Sequence, residues 1–192
     1  MANGARVPPL CSRLLDEGTR ENITMNTTIR TERPHDIDAI ARLTVAAFKN
    51  EVHSSHTEQF IVDALRRSEQ LTVSLVAVDD DAIVGHVAIS PVTLSSGATR
   101  WYGLGPVSVW PDRQGQGIGS ALIKAALARL QDLGAAGCVV LGEPGYYGRF
   151  GFAAHPELEL PGVPPEYFQA LAFEGALPTG VVKYHEAFEA TE

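Results

Sequence analysis

A glycine-rich segment between a predicted strand and a predicted helix is the part of this sequence best suited to binding a ligand. Gly115, Gly117 and Gly119 stand at alternate positions, and a helical pattern begins just after them. Glycine lets the backbone adopt positive φ and approach a ligand closely, and the first N–H groups of a helix have no acceptor within it. Those N–H groups lie at the positive end of the helix dipole. We therefore expect the segment to bind a phosphate or diphosphate, with Arg113 adding positive charge nearby.

Two familiar phosphate-binding motifs do not match this segment. A mononucleotide P-loop needs Gly-x-x-x-x-Gly-Lys followed by Ser or Thr, and the sequence contains no such string. A Rossmann fingerprint needs Gly-x-Gly-x-x-Gly close behind a strand, whereas here the spacing is Gly-x-Gly-x-Gly and residues 110–114 intervene. In that interpretation Glu143 would bind the ribose. A nucleotide-dependent oxidoreductase therefore remains only as a rival hypothesis.

The segment and its neighbours together resemble a known family. Residues 114–119 match the [Gln/Arg]-x-x-Gly-x-[Gly/Ala] acyl-CoA signature of the GCN5-related N-acetyltransferases, the GNAT family. Residues 104–111 are similar to the family's central strand, and residues 146–152 resemble its aromatic-Tyr-x-x-x-Gly-Phe element. These motifs stand in the family's order over roughly residues 29–152. The chain also resembles a bacterial subgroup of small predicted acetyltransferases through the string at residues 141–147.

This resemblance implies a fold and a cosubstrate. The fold is a single α/β (α+β) domain with a mixed, mostly antiparallel sheet, flanked by helices, whose central parallel strand pair splays apart. The cosubstrate is acetyl-CoA. Its pantetheine arm would pair with the backbone of Val107 and Val109, and the N–H of Val109 or Trp110 would point at the thioester oxygen. The residues implied in acetyl-CoA binding, with the diphosphate held from position 114 onward, are Val107, Ser108, Val109, Gln114, Gly115, Gln116, Gly117, Ile118, Gly119 and Ser120.

The resemblance also implies direct attack of an amine on the thioester. Tyr147 matches the family's tyrosine beside the sulfur and is the expected general acid, because a phenol can share or give a proton to a leaving thiolate. Tyr146 is then expected to be a packing residue. Many family members use a glutamate of the central strand as the base, but this strand has Ser108. Glu143, Glu51 or an ordered water could serve instead, and Glu143 is the catalytic candidate because it follows the carboxyl end of a strand.

Periodic patterns elsewhere predict elements that would position these residues. Apolar residues at helical spacing predict helices over residues 34–48 and 58–67. Residues 71–78 and 83–94 are rich in β-forming residues around a run of aspartates, which predicts an antiparallel hairpin. A third strand, residues 101–110, leads into the glycine-rich segment.

The pattern downstream of the glycines predicts a crossover back to the sheet. A helix should run to about Leu133 and stop at Gly134, with a buried stripe of Ile118, Leu122, Ala126, Leu130 and Leu133. Residues 137–141 should form a strand parallel to residues 107–109, because a helix joins the two. The remainder is rich in proline, with a last predicted strand at residues 180–185.

Composition places the chain among globular proteins and excludes several function classes. Its 192 residues suit one domain, predicted at residues 25–192, behind a flexible leader or arm at residues 1–24. The net charge of −8 and the lack of a basic cluster argue against nucleic-acid binding. No apolar run approaches the roughly 20 residues that span a bilayer, and Cys11 and Cys138 cannot make a disulfide framework. We therefore expect a cytoplasmic protein with no membrane or nucleic-acid partner. The oligomeric state is left open, and a homodimer is one possibility.

The histidines carry weaker signals. His53, His56 and Glu58 have a spacing that metal ligands could use, but the segment has loop character and no further ligand is evident, so we predict no metal. His86 alternates with apolar residues and could face the cleft, although a surface position is favoured.

The resulting hypothesis is an acetyl-CoA-dependent N-acetyltransferase that acts on a primary amine of a small molecule or peptide. A catalytically silent acyl-CoA-binding or sensory module is the rival, since the strand lacks the family's glutamate.

Overall fold

The structure is a computed structural model that describes residues 27–51 and 56–192. The predicted leader, Cys11 and His53 lie outside these residues. A single mixed sheet of nine strands runs through the described part. Its strands are β1 (Thr28–Thr31), β2 (Val73–Asp79), β3 (Ala82–Leu94), β4 (Trp101–Val109), β5 (Gly137–Leu141), β6 (Ala153–Ala154), β7 (Leu158–Glu159), β8 (Phe168–Ala172) and β9 (Gly180–Tyr184).

Most of the strand pairs are antiparallel. The sheet has the order β1-β2-β3-β4-β5-β8-β6, and β9 pairs with the far end of β3 and with β7. The parallel pairs are β4 with β5, joined by a helix, and β7 with β9. The predicted fold class, a mixed and mostly antiparallel sheet with a central parallel pair, is therefore confirmed.

The helices cover both faces of the sheet. They are α1 (Ile37–Phe48), α2 (Glu58–Arg67), α3 (Ile118–Asp132) and the short α4 (Pro144–Tyr147). On β3, Val87 and Ile89 pack in the cluster that contains the buried side of α3. Ala88 between them packs with Ile40 of α1 and Val62 of α2. Because successive side chains of a strand point to opposite faces, α3 covers one face while α1 and α2 cover the other.

The buried side of α3 differs from the predicted stripe at its end. The first four predicted positions are buried, and Ile123 and Leu127 join them. Leu133 is 59% exposed, so its predicted burial is wrong. The helix ends at Asp132, and Gly134 at φ +69° turns the chain away. Leu133 therefore caps the helix and does not continue its apolar face.

His86 is a buried core residue, and the predicted surface position is wrong. Its side chain is fully buried on β3, and its Nε2 lies 2.8 Å from the hydroxyl of Ser74. Glu32 accepts a hydrogen bond from that hydroxyl and two from the guanidinium of Arg66. Burial lowers the pKa of His86 to about 4, so the imidazole is neutral near pH 7. Its Nε2 meets a polar neighbour on the adjacent strand, whereas its Nδ1 is buried without a hydrogen-bond partner among the described residues, and alternation along one strand reveals neither feature.

We expect Asp36→Asn to lower the free energy of unfolding by about 2 kcal/mol at pH 7, because Asp36 accepts charge-assisted hydrogen bonds. Its carboxylate is 3% exposed and accepts bonds of 2.6 and 3.0 Å from Arg30 and one of 2.7 Å from the backbone N–H of Arg33. Denaturant unfolding measures the change. Asp38→Asn removes the same charge from an exposed position of α1 and is the control.

The same carboxylate contributes a defined pH dependence. The hydrogen bonds from Arg30, opposed by burial, hold the pKa of Asp36 at about 2. Its pKa in the unfolded chain is about 3.9. A depressed folded-state pKa contributes stability above pH 4 that is lost as the pH falls toward 2. Asp36→Asn should flatten this part of the stability profile, and an identical profile in both proteins would contradict the assignment.

Candidate active site

Strands β4 and β5 separate partway along their length. Their parallel register joins residues 101–104 of β4 to residues 137–140 of β5, and β4 continues to Val109 beyond that pairing. The predicted parallel direction is confirmed, but the predicted register opposite residues 107–109 is wrong. The pairing of β3 with β4 has a bulge at this point. Val87 pairs with Val107 and Ile89 pairs with Leu104, so two steps along β3 correspond to three along β4. This bulge bends β4 and leaves its last residues unpaired toward β5.

The free edge of β4 presents particular backbone groups. The N–H of Trp110 donates to the carbonyl of Val84 on β3, at 3.2 Å. Successive N–H groups of a strand point to opposite edges, so the N–H of Val109 and of Val107 point toward the gap between β4 and β5. The gap is thus lined by main-chain donors and acceptors that the sheet does not use.

The glycine-rich segment connects this edge to α3. Gly115 and Gly117 have φ of +74° and +87°, and Gly117 is the N-cap of α3. A Cβ at either position would meet no atom within 4 Å, so the space beside them is open. The N–H of Ala121 donates to the carbonyl of Gly117, which leaves the N–H groups of residues 118–120 without an acceptor inside the helix. The helix N-terminus therefore offers donors to a ligand in that space.

A cavity of about 1230 Å³ runs along the gap and this helix N-terminus. It exceeds the typical volume of a small-molecule site, which suits an extended ligand. The predicted site residues that line it are Val107, Val109, Gln114, Gly115, Gly117, Ile118, Gly119, Ser120, Glu143 and Tyr147.

Two predicted cosubstrate-binding residues do not line the cavity. Ser108 is fully buried, and its hydroxyl donates to the hydroxyl of Thr44 in α1 at 3.2 Å. The side chain of Gln116 donates to the carbonyl of Asp112 and accepts from Arg113, each at 3.2 Å. Ser108 is therefore held inside the fold, where a base at this position would have no access to a ligand in the cavity.

Tyr147 lies where α4 follows β5. Its ring packs against Gly142, where a Cβ would clash with it, and meets the rings of Tyr146 and Phe152 edge to face at 5.1 and 6.1 Å. Burial, with a smaller contribution from Tyr146, raises the pKa of Tyr147 to about 12. The phenol is therefore protonated at neutral pH and can donate a hydrogen bond.

Tyr146 and Glu143 frame the same turn. The hydroxyl of Tyr146 would lie 3.0 Å from a Cβ at Gly119, and the guanidinium of Arg149 covers its ring at 4.4 Å from the centroid. Glu143 is exposed at the cavity rim, and its carbonyl accepts from the N–H groups of Tyr146 and Tyr147 at 3.0 Å. The backbone of Glu143 thus orients Tyr147, while its carboxylate faces solvent.

Tyr184 and Phe188 line the cavity, and sequence patterns did not point to them. Glu58 also lines it, although its spacing from His53 and His56 had suggested only a metal ligand. The ring of Tyr184 in β9 packs on Gly103 of β4, where a Cβ would clash with it. Leu104 packs toward α3, so Gly103 and Tyr184 lie on the opposite face, with α1 and α2. No short motif marks these residues, because elements far apart in the chain bring them together.

Within residues 27–51 and 56–192, no three His, Cys, Asp or Glu residues lie close enough to hold a metal ion together. In the same ranges no helix has the length and apolar character needed to cross a bilayer.

Comparisons with known proteins agree with this geometry. A family model described as an acetyltransferase (GNAT) domain matches residues 28–154. The uncharacterised N-acetyltransferase YhbS of Escherichia coli K12 is 37% identical over 167 residues, covering 83% of this chain and 97% of the relative.

Two solved structures are similar over nearly their full lengths. A GNAT family acetyltransferase from Brucella melitensis, in complex with acetyl-CoA, is 49% identical with a TM-score of 0.77, and the match covers 85% of this chain and 99% of that one. Escherichia coli YhbS in complex with CoA is 35% identical with a TM-score of 0.77, and the match covers 86% of this chain and 93% of that one. The resemblance found in the sequence is confirmed, and the chain belongs to the GNAT family of N-acetyltransferases.

Proposed function

We propose that this enzyme transfers the acetyl group of acetyl-CoA directly to a primary amine of a small molecule or peptide. The observation that carries the proposal is the free edge of β4, which borders a long cavity ending at the N-terminus of α3. The Brucella melitensis relative binds acetyl-CoA and YhbS binds CoA, which supports this donor.

The donor would lie along the free edge and the glycines. The backbones of Val107 and Val109 pair with the pantetheine arm, and the N–H groups from Gln114 to Ser120 bind the diphosphate. Because the N–H of Trp110 already donates to β3, the N–H of Val109 is the one that points at the thioester oxygen. A donor at this position stabilises the charge of the transition state, and losing such a group costs about 3 kcal/mol.

The reaction needs one bond to form and one to break. The amine nitrogen attacks the thioester carbon, the C–N bond forms, and the C–S bond breaks to release a thiolate. A CoA-type thiol has a pKa of about 8.5. Tyr147, with a pKa near 12, binds its proton more tightly than that thiolate does. Tyr147 therefore stabilises the thiolate by donating a hydrogen bond, and it relays to the sulfur the proton that the amine releases.

The state of the cysteine supports direct transfer. Cys138 is the one cysteine of the described residues; it is fully buried, and burial raises the pKa of its thiol. A neutral, inaccessible thiol is a poor nucleophile, so an acyl-cysteine intermediate at this position is disfavoured.

Thiol release from acetyl-CoA across a panel of primary amines, with mass spectrometry of the products, tests the function. We expect amine-dependent release and a product heavier by one acetyl group. Tight acetyl-CoA binding with no thiol release on any amine would favour the alternative of a catalytically silent acyl-CoA-binding module. The buried Ser108 is consistent with that alternative, because it stands on the strand where many family members have a catalytic glutamate.

Glu143 remains the proposed general base, and Glu143→Gln tests it. We expect kcat to fall by about 100-fold with an unchanged Kd for acetyl-CoA, because the amide cannot accept the proton that an ammonium group loses before attack. The proton that the nitrogen loses after attack is the one that passes to the sulfur through Tyr147. Glu157→Gln, at an exposed position outside the cavity lining, is the control. Full activity of Glu143→Gln together with a large loss in Glu51→Gln would transfer the role to Glu51, which also lines the cavity.

A further inference from the structure

The cavity has two chemically different ends. At one end lie the N-terminus of α3 and the basic residues Arg113 and Arg149, which suit the diphosphate. The other end is built by the last turn of α1, the first turn of α2, β9 and the 3₁₀ helix Glu186–Glu189. We name it the acceptor end; the lining residues used below are Phe48, Glu51, Glu58, Ile61, Tyr184 and Phe188.

We propose that the acceptor is a cationic primary amine carried on an apolar or aromatic carbon skeleton, bound at the acceptor end. This inference rests on the proposed function and specifies its substrate class.

One wall of the acceptor end is aromatic. The rings of Tyr184 and Phe188 lie 4.6 Å apart between centroids, tilted at 54°. Phe188 also packs with Ile61 and Leu65 of α2, which fixes it against the helix. Rigid aromatic faces bind apolar skeletons by burying their surface, and they attract a cation above the ring.

Among the residues that the structure describes, the acidic side chains of the cavity lining lie at this end, apart from Glu143. Glu58 and Ile61 stand three residues apart on α2 and share a face, and Glu58 is only 9% exposed. Glu51 follows the last turn of α1 and also lines the cavity. The basic lining residues of the described chain, Arg113 and Arg149, both lie at the diphosphate end. An acidic pocket with low-polarity walls attracts an ammonium group and repels a carboxylate.

The phenol of Tyr184 adds an independent sign of a ligand. Its oxygen is buried and has no hydrogen-bond partner among the described residues. A buried hydroxyl without a partner costs about 1 to 3 kcal/mol, which a polar ligand group can offset. Burial and the proximity of Cys138 and Tyr147 raise the pKa of Tyr184, so it stays a neutral phenol. The effect of Tyr147 on this phenol indicates that the two side chains are neighbours.

Calorimetry on the protein saturated with CoA tests the substrate class, because CoA carries no acetyl group and no reaction follows. The probes are 2-phenylethylamine, phenylalanine, 2-phenylethanol and ethanolamine. Compared with 2-phenylethylamine, phenylalanine adds a carboxylate, 2-phenylethanol lacks the positive charge, and ethanolamine lacks the aromatic skeleton. We expect 2-phenylethylamine to bind at least about tenfold more tightly than each of the others, the size of one lost favourable interaction. Equal or tighter binding of any of the other three, or no binding of any probe, would overturn the proposal.

Glu58→Gln provides a second test of the acceptor end. It should weaken 2-phenylethylamine binding by about tenfold while leaving 2-phenylethanol and CoA binding unchanged, because only the cation uses the charge. Glu186→Gln removes an exposed charge outside the lining and is the control. An unchanged amine affinity in Glu58→Gln would contradict the proposed role of this carboxylate.

Thiol release with acetyl-CoA separates this inference from the proposed function. Selective binding of 2-phenylethylamine without release would support the acceptor end and contradict the transfer. Efficient release with phenylalanine or ethanolamine but not with 2-phenylethylamine would support the transfer and overturn the acceptor class.

Discussion

Gly117→Glu is expected to raise the Kd for acetyl-CoA by at least about 100-fold, which corresponds to roughly 2.7 kcal/mol. Gly117 is the N-cap of α3 at φ +87°, and no protein atom lies within 4 Å of the position that a Cβ would take. A glutamate side chain would therefore extend into the open space proposed for the diphosphate. It would obstruct the ligand and repel its charge, while its Cβ would meet no protein atom.

Backbone strain must be separated from this loss of binding, because a non-glycine residue at positive φ costs about 1 to 2 kcal/mol. Gly162 has φ +85°, likewise has no atom within 4 Å of a Cβ, and is outside the cavity lining. Gly162→Glu thus imposes similar strain away from the ligand. Calorimetry with acetyl-CoA and thermal unfolding of both variants distinguish the effects. Wild-type affinity in Gly117→Glu would exclude residues 114–120 as the diphosphate site.

Tyr147→Phe is expected to lower kcat by about 100-fold or more, because it removes the hydrogen-bond donor that we propose meets the leaving sulfur. The Kd for acetyl-CoA should stay within about twofold, since the ring and its contacts with Tyr146 and Phe152 remain. Steady-state thiol release and calorimetry measure the two quantities.

The pH profile of the wild-type enzyme gives a second test of Tyr147. The proposed mechanism needs the acid form of the phenol, and burial raises the pKa of Tyr147 to about 12. The phenol therefore stays protonated up to about pH 11, and kcat should not fall with rising pH below that value. Over the same range kcat should rise as the amine substrate deprotonates. Tyr167→Phe changes a phenol outside the cavity lining and is the control. Equal activity of Tyr147→Phe and wild type would remove the acid role, and a larger loss in Tyr146→Phe would move it to that neighbour.

Local elements were predicted closely wherever short-range patterns dominate. The helix at Glu58–Arg67 and the strand at Gly137–Leu141 have the predicted bounds. The hairpin of β2 and β3 and the strand before the glycines differ by only a few residues. Side-chain periodicity and turn chemistry act over a few residues, so they can be read without the fold. In contrast, β8 (Phe168–Ala172) lies in the proline-rich stretch and was not predicted, because its pairing with β5 is what makes it a strand.

The sequence by itself determined the family, the glycine-rich N-terminus of α3 and the order of the motifs around it. Each depends on residue type at short spacing: glycine where φ is positive, and an aromatic pair a few residues after a strand. Only the tertiary structure decided that Ser108 faces α1, that β5 stops pairing with β4 at Leu104, and that Tyr184 lines the cavity. These outcomes depend on contacts between residues distant in the chain, such as Gly103 with Tyr184, and no local pattern encodes which distant surfaces meet.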